Sequence, residues 1–120
     1  MLLQFWHSSD YDYEKELYEP IRQSNLTREH EIILPHEHNP MINSKETLQK
    51  VDVFFAEVSS PSIGLGIELG YADMYGKKII CFSKKGAKIT SALKYVCKDF
   101  FEYTNAEDMI QHIQETIKNI

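Results

Sequence analysis

At 120 residues, with 42% hydrophobic and 26% charged content, the sequence has the size and balance of one soluble globular domain spanning 1–120. Its formal net charge of −5, with no basic cluster longer than Lys77–Lys78 or Lys84–Lys85, argues against a nucleic acid polymer as partner. No apolar run approaches the roughly 20 residues that cross a bilayer, and the opening MLLQFWHSSD lacks the basic flank of a signal peptide, so a cytoplasmic location without membrane contact is expected.

Leu2–Trp6 reads as a first buried strand. Tyr11–Arg22 follows as a helix with Tyr13, Leu17 and Ile21 on one face, and Pro20 should kink or interrupt it. Glu31–Leu34 is a second short strand that stops at Pro35, and Ser44–Lys50 is a short helix capped by Asn43 or Ser44. Val51–Val58 is apolar on both alternating faces, the pattern of a central parallel strand covered on both sides. Ile63–Tyr75 is a helix broken at Gly76, and Lys78–Phe82 is a fourth strand. Ile89–Val96 reads as helical and Phe100–Tyr103 as an edge strand. In the last helix Thr104 and Glu107 suggest a capping box, with Ile110, Ile113, Ile117 and Ile120 as its apolar stripe.

Strands alternating with helices predict an α/β, flavodoxin-like (Rossmann-like) three-layer sandwich around a parallel sheet of about five strands. Ligands bind such sheets beyond the carboxyl ends of the strands. The loops to inspect are therefore His7–Asp10, Pro35–Pro40, Ser59–Ser62 and Ser83–Lys88. Cys81 and Cys97 suit reduced core thiols, a disulfide between them being the alternative.

Ser59-Ser60-Pro61-Ser62 joins the central strand to its helix, with Ser62 placed as N-cap. Hydroxyls beside a helix N-terminus suit a phosphate or carboxylate, whereas capping alone explains one serine of the three. Gly64 and Gly66 each cost about 1 kcal/mol in a helix relative to alanine, so close approach of a ligand or another backbone is expected there. The series Gly64, Gly66, Gly70 departs from a dinucleotide fingerprint in spacing and position, which argues against NAD.

Glu68 is the anomaly. It lies between Gly64 and Ala72 on one helical stripe, beside apolar stripes of Ile63, Leu65, Ile67 and Leu69. A carboxylate there is either a surface group on one exposed face or a paired, working one, and a helix N-terminus favours the ionised form that a nucleophile needs. His36-Glu37-His38 fits no helix face and lacks a third ligand, so no metal is expected, nor any cofactor. His36 and His7 remain as loop histidines for a ligand or for solvent. Asp52 should start the central strand away from the site. Glu57 ends it, and could hold a loop or a substrate hydroxyl. Trp6 fits the core better than it fits a stacking platform.

The run VDVFFAEVSSPSIGLGIELGYA resembles the nucleoside 2-deoxyribosyltransferase superfamily, nearest to its 2′-deoxynucleoside 5′-phosphate N-hydrolases. The likeness continues through Gly76–Cys81 and Thr90–Leu93. It implies a homodimer whose site is completed by the neighbouring subunit, acting on a small nucleotide or nucleoside. It also implies Glu68 as the nucleophile at the anomeric carbon, with Ser62, Gly64 and Gly66 at the ligand and His36 as a further contact. Ser8 matches a phosphate-contacting serine, and Ser91 one that reaches the phosphate across the dimer. Two positions depart from the family: Gln4 stands where it has a tyrosine supporting the nucleophile, and Ser44 where it has the acid that assists departure of the base. His36, Asp10 or Glu57 could take over that acid's task. The resulting expectation is a nucleotide N-glycosidase or deoxyribosyl-transfer enzyme. Its rival is a nucleotide-binding module that has lost the chemistry, with a flavin mononucleotide binder as a weaker third reading.

Overall fold

A parallel strand covered on both faces needs apolar side chains on both. The structure, a computed structural model, describes residues 1–8, 10–35, 44–97 and 99–120 and places five strands in one sheet, the central one buried throughout. They are β1 (Leu2–Trp6), β2 (Glu31–Ile33), β3 (Val53–Glu57), β4 (Lys78–Lys84) and β5 (Asp99–Tyr103). Their order is β2-β1-β3-β4-β5, and every pairing is parallel. All five residues of the central β3 are buried. The helices are α1 (Glu19–Gln23), α2 (Leu26–Glu29), α3 (Ser44–Lys50), α4 (Ile63–Met74) and α5 (Ala106–Lys118).

The alternation of side chains along the strands divides the core in two. Leu3, Phe5, Val53, Phe55, Ile80 and Phe82 face one layer, where Leu17, Ile21, Leu26, Met109 and Ile113 cover them. Phe54, Ala56, Ile79 and Cys81 face the other, under Leu48 of α3 and Leu65, Leu69 and Ala72 of α4. Asp52, just before β3, accepts the Leu2 N–H at 2.7 Å and so fixes the start of β1, remote from the strands' carboxyl ends.

Several elements differ from the sequence reading, each for a local reason. The first helix is a π-wound turn over Glu14–Tyr18 followed by α1, in place of one helix over Tyr11–Arg22. Pro20 has no N–H for Glu16 and its ring would crowd that carbonyl; the wide turn, with Glu19 N–H bonded to Glu14 O, accommodates it. Ile89–Val96 forms only a 3₁₀ turn over Ser91–Tyr95. The cap of α5 is Asn105 and not Thr104: Asn105 Oδ1 accepts the Asp108 N–H at 2.8 Å, while Asp108 in turn accepts the Thr104 N–H at 2.9 Å. Its buried stripe centres on Met109 and Ile113, leaving Ile120 exposed. Gly76 ends α4 as expected, at φ +67°, with Lys77 N–H bonded to Ala72 O at 2.9 Å. Cys81 and Cys97 are free, and the Cys81 N–H points at Cys97 Sγ from 3.1 Å. Among the described residues no helix is long and apolar enough to cross a membrane.

Candidate active site

The sheet reverses its winding between β1 and β3, because β1 connects outward to β2 and β3 outward to β4. A crevice opens at such a point beyond the carboxyl ends of the two strands. Here the segments that leave those ends are His7–Ser8 after β1 and Val58–Ser62 after β3, the two walls expected of such a crevice. The β1–β3 ladder stops at Trp6 and Ala56, so neither wall is held by sheet hydrogen bonds to the other.

Ser62 is the N-cap of α4: in extended conformation, its Oγ accepts the Leu65 N–H at 3.3 Å. The first-turn N–H groups of Ile63 and Gly64 are those a helix leaves for an anion, and both residues are exposed. The three hydroxyls do not form one anion pocket, which corrects the sequence reading. Ser59 is turned away from the helix, donating to Glu57 Oε2 at 2.6 Å and accepting the Lys84 N–H at 2.9 Å. Ser60 Oγ is buried and has no hydrogen-bond partner among the described residues.

Glu68 is buried, 6% exposed, which removes its reading as a surface group. It lies on the side of α4 that packs on the sheet through Leu65, Leu69 and Ala72. Helical side chains lean toward the N-terminus, which directs Glu68 back over the turn holding Gly64. Among the described residues, a side chain at Gly64 would meet only Ser62 Oγ, at 3.9 Å, outside its own helix backbone. The helix is not buried all round, however. Ile63, Ile67 and Met74 are 85%, 51% and 81% exposed, and they align with Gly70 in a stripe facing away from the sheet. Side chains at Gly66 and Gly70 would meet nothing within 4 Å among the described residues outside their own helix backbone, so packing among those residues does not explain either glycine.

Glu57 occupies the other face. It is fully buried and accepts four hydrogen bonds: from Ser8 Oγ at 3.2 Å, Ser59 N–H at 2.8 Å, Ser59 Oγ at 2.6 Å and Tyr103 Oη at 2.5 Å. Tyr103 in turn lies 2.9 Å from Tyr11 Oη. Burial pushes both phenols well above their usual range, and the bond to Glu57 adds to the rise at Tyr103. Both oxygens of Glu57 are thus engaged by groups of the protein itself.

Ser8 is fully buried and committed to Glu57. His7 is buried too, its Nδ1 3.0 Å from Ser8 O and its ring stacked on Tyr13 with centroids 4.4 Å apart; it is not a solvated loop residue. Trp6 packs against the core on the α4 side. Gln4, in place of the tyrosine, is 3% exposed on β1, and its Oε1 has no hydrogen-bond partner among the described residues. Ser91 is exposed in the 3₁₀ turn. Asp10 is exposed, while His36 to His38 and the side chain of Ser44 lie outside the described residues. Among the described residues no cluster of His, Cys, Asp and Glu could hold a metal ion. The sequence reading missed Ser8 and Tyr103 as donors to Glu57, because they lie 49 and 46 residues away and only the fold joins them.

No family model matches the chain. It is 45% identical over 49 residues to the 5-hydroxymethyl-dUMP N-hydrolase of Homo sapiens and 47% identical over 47 residues to that of Rattus norvegicus. These matches cover 40% and 38% of the chain but only 28% and 29% of the relatives' lengths. Among solved structures, the Clostridium botulinum CMP N-glycosidase BcmB aligns over 95% of this chain and 99% of its own, with a TM-score of 0.70 and 18% identity. A 2-deoxyribosyltransferase from Bacillus psychrosaccharolyticus aligns over 91% and 90%, with a TM-score of 0.62 and 18% identity. The resemblance to the nucleoside 2-deoxyribosyltransferase superfamily therefore extends to both a stretch of sequence and the fold.

Proposed function

We propose that the chain is a nucleotide N-glycosidase that cleaves the bond between base and sugar in a small nucleoside 5′-monophosphate. The observation that carries this is Glu68: a buried carboxylate on α4, one turn beyond an exposed glycine and a capped helix N-terminus. Its carboxylate attacks the anomeric carbon as the bond to the base breaks, giving a glycosyl-enzyme ester. Water then attacks the same carbon, returns the sugar phosphate and frees Glu68. Transfer to a second base in place of water is the variant of the same chemistry. The first-turn N–H groups of α4, with Ser62, Gly64 and Gly66 around them, receive the ligand, and Ser8 lies on the opposite wall of the crevice. His36 and Ser91 are assigned to the ligand on resemblance.

The same reading includes a cytoplasmic homodimer with a shared site. Its support is the exposed stripe of Ile63, Ile67, Gly70 and Met74, with Tyr95 87% exposed nearby in sequence to Ser91. A second copy would cover the stripe, the open glycines would allow close approach, and Ser91 would come within reach of the neighbouring site. Sedimentation at micromolar concentration checks this: a dimer that Ile67→Asp converts to monomer is the expected result.

The deciding experiment is chromatography of free base after incubation with a panel of ribo- and deoxyribonucleoside 5′-monophosphates. Release above a Glu68→Gln control is expected. A binding module without chemistry has one specific feature in its favour, Gln4 and Ser44 at the two departures, and it would show calorimetric binding of intact nucleotide with no base released.

A further inference from the structure

The proposed reaction gives Glu57 no chemical task, yet a fully buried carboxylate is costly unless several donors hold it. Its donors come from three places at the carboxyl end of the sheet: Ser8 after β1, Ser59 after β3 and Tyr103 at the end of β5. Two further segments join indirectly, the main chain of Lys84 through Ser59 Oγ and Tyr11 through Tyr103. The directions follow from Tyr103 donating to Glu57. Tyr103 spends its proton on Glu57, so Tyr11 donates to Tyr103; Ser8 and Ser59 both donate to the carboxylate, and Ser59 receives the Lys84 N–H.

The position of this network matters as much as its size. Beyond Trp6 and Ala56 the β1–β3 ladder has ended, and the Ser8–Glu57 bond ties the two walls of the crevice together. Glu57 itself belongs to the face covered by Tyr11 and Tyr103, opposite the face on which α4 packs. It therefore does not touch the reacting atoms. We propose that Glu57 is a positioning residue: as their shared hydrogen-bond partner it fixes Ser8 and Ser59 across the crevice, and so sets the separation between the wall after β1 and the turn that presents Ser62 and the α4 N-terminus to the phosphate.

This rests on the proposed reaction for its kinetic consequence but not for the anchoring, and the two parts are tested separately. In Glu57→Gln, amide exchange at Ser59 and Lys84 should quicken at least about tenfold relative to Val53–Phe55, because both N–H groups belong to the network. Wild-type protection at those two amides in the folded variant overturns the anchor, whatever the enzyme turns over. Kinetically, a displacement near 1 Å costs on the order of 10²-fold. The loss should appear in KM for nucleoside 5′-monophosphates, with kcat and the KM of the matching free nucleosides much less affected. Equal losses for nucleotide and nucleoside, or a loss confined to kcat, overturn the positioning role. If the wild type releases no base from any nucleotide, the proposed reaction fails while the exchange result still decides the anchor. If Glu57→Gln does not fold, Tyr103→Phe removes one donor of the four and should show the same two signatures at smaller amplitude.

Discussion

Glu57 and Glu68 are both buried carboxylates, 11 positions apart in sequence, on opposite faces of the same sheet. Glu57 sits where strand, loop and two tyrosines converge, and four donors occupy its oxygens. Glu68 sits on a helix whose preceding turn carries an exposed glycine and a capping serine. Burial alone thus does not distinguish a working carboxylate from an anchoring one. Position does: donors from three segments hold Glu57, whereas Glu68 lies near a helix N-terminus at the carboxyl end of the sheet, where ligands bind folds of this kind.

The largest effect expected from this contrast is on turnover. Glu68→Gln should lower base release by about 10³-fold or more, since removal of a nucleophile leaves only binding and polarisation. The fold should survive, because the amide has nearly the same shape; chromatography of free base, with a urea denaturation curve beside it, checks both halves. Glu57→Ala should do the reverse in emphasis. It leaves Ser8, Ser59 and Tyr103 aimed at an empty space, and should cost about 3–5 kcal/mol of stability by the same denaturation measurement. Equal stability losses in the two variants would erase the distinction between them.

The sheet was legible in the sequence because parallel strands buried on both faces read as continuous apolar runs, and Leu2–Trp6 and Ser44–Lys50 match their predicted bounds. The run over Val51–Val58 was trimmed only at its ends. The capping role of Ser62 was legible for a similar reason, since it depends on a residue three positions away. What the sequence withheld was the third dimension. Ile63 and Ile67 look like core residues, yet they face outward on α4, and helical periodicity does not say which of two apolar sides meets the sheet. Ser59 looked like a third phosphate ligand because its partner Lys84 is 25 residues away and becomes a neighbour only through β3–β4 pairing. The role of Glu57 was hidden in the same way, behind Tyr103 at a separation of 46 residues.

A smaller effect is expected on the alkaline side. Burial raises the Tyr11 and Tyr103 hydroxyls above their unfolded values, so in the fold both stay protonated after the unfolded chain has begun to lose those protons near pH ~10. The unfolded state then binds fewer protons than the native one, and stability falls as pH rises from there toward the folded values. Below pH ~9 the contribution of both groups is fully present. Urea midpoints measured from about pH 8 to 11 should therefore decline. Tyr103→Phe should shift the whole curve down by about 1.5–3 kcal/mol, for the lost bond to a charged group, and flatten its alkaline limb. A limb of unchanged slope would mean that Tyr103 is not its source.

The smallest effect tests the Glu68 side of the comparison, and there stability and activity should move in opposite directions. Gly64→Ala places a methyl group 3.9 Å from Ser62 Oγ, an ordinary van der Waals contact, so the fold has room for it. Alanine is the better helix former by up to about 1 kcal/mol, and the variant should unfold at slightly higher urea. In the proposed reaction the same methyl group would stand beside the substrate bound at the first turn of α4. Base release should then fall by about tenfold, a penalty on geometry and not on folding. A variant both more stable and fully active would show that a substrate does not reach Glu68 past Gly64.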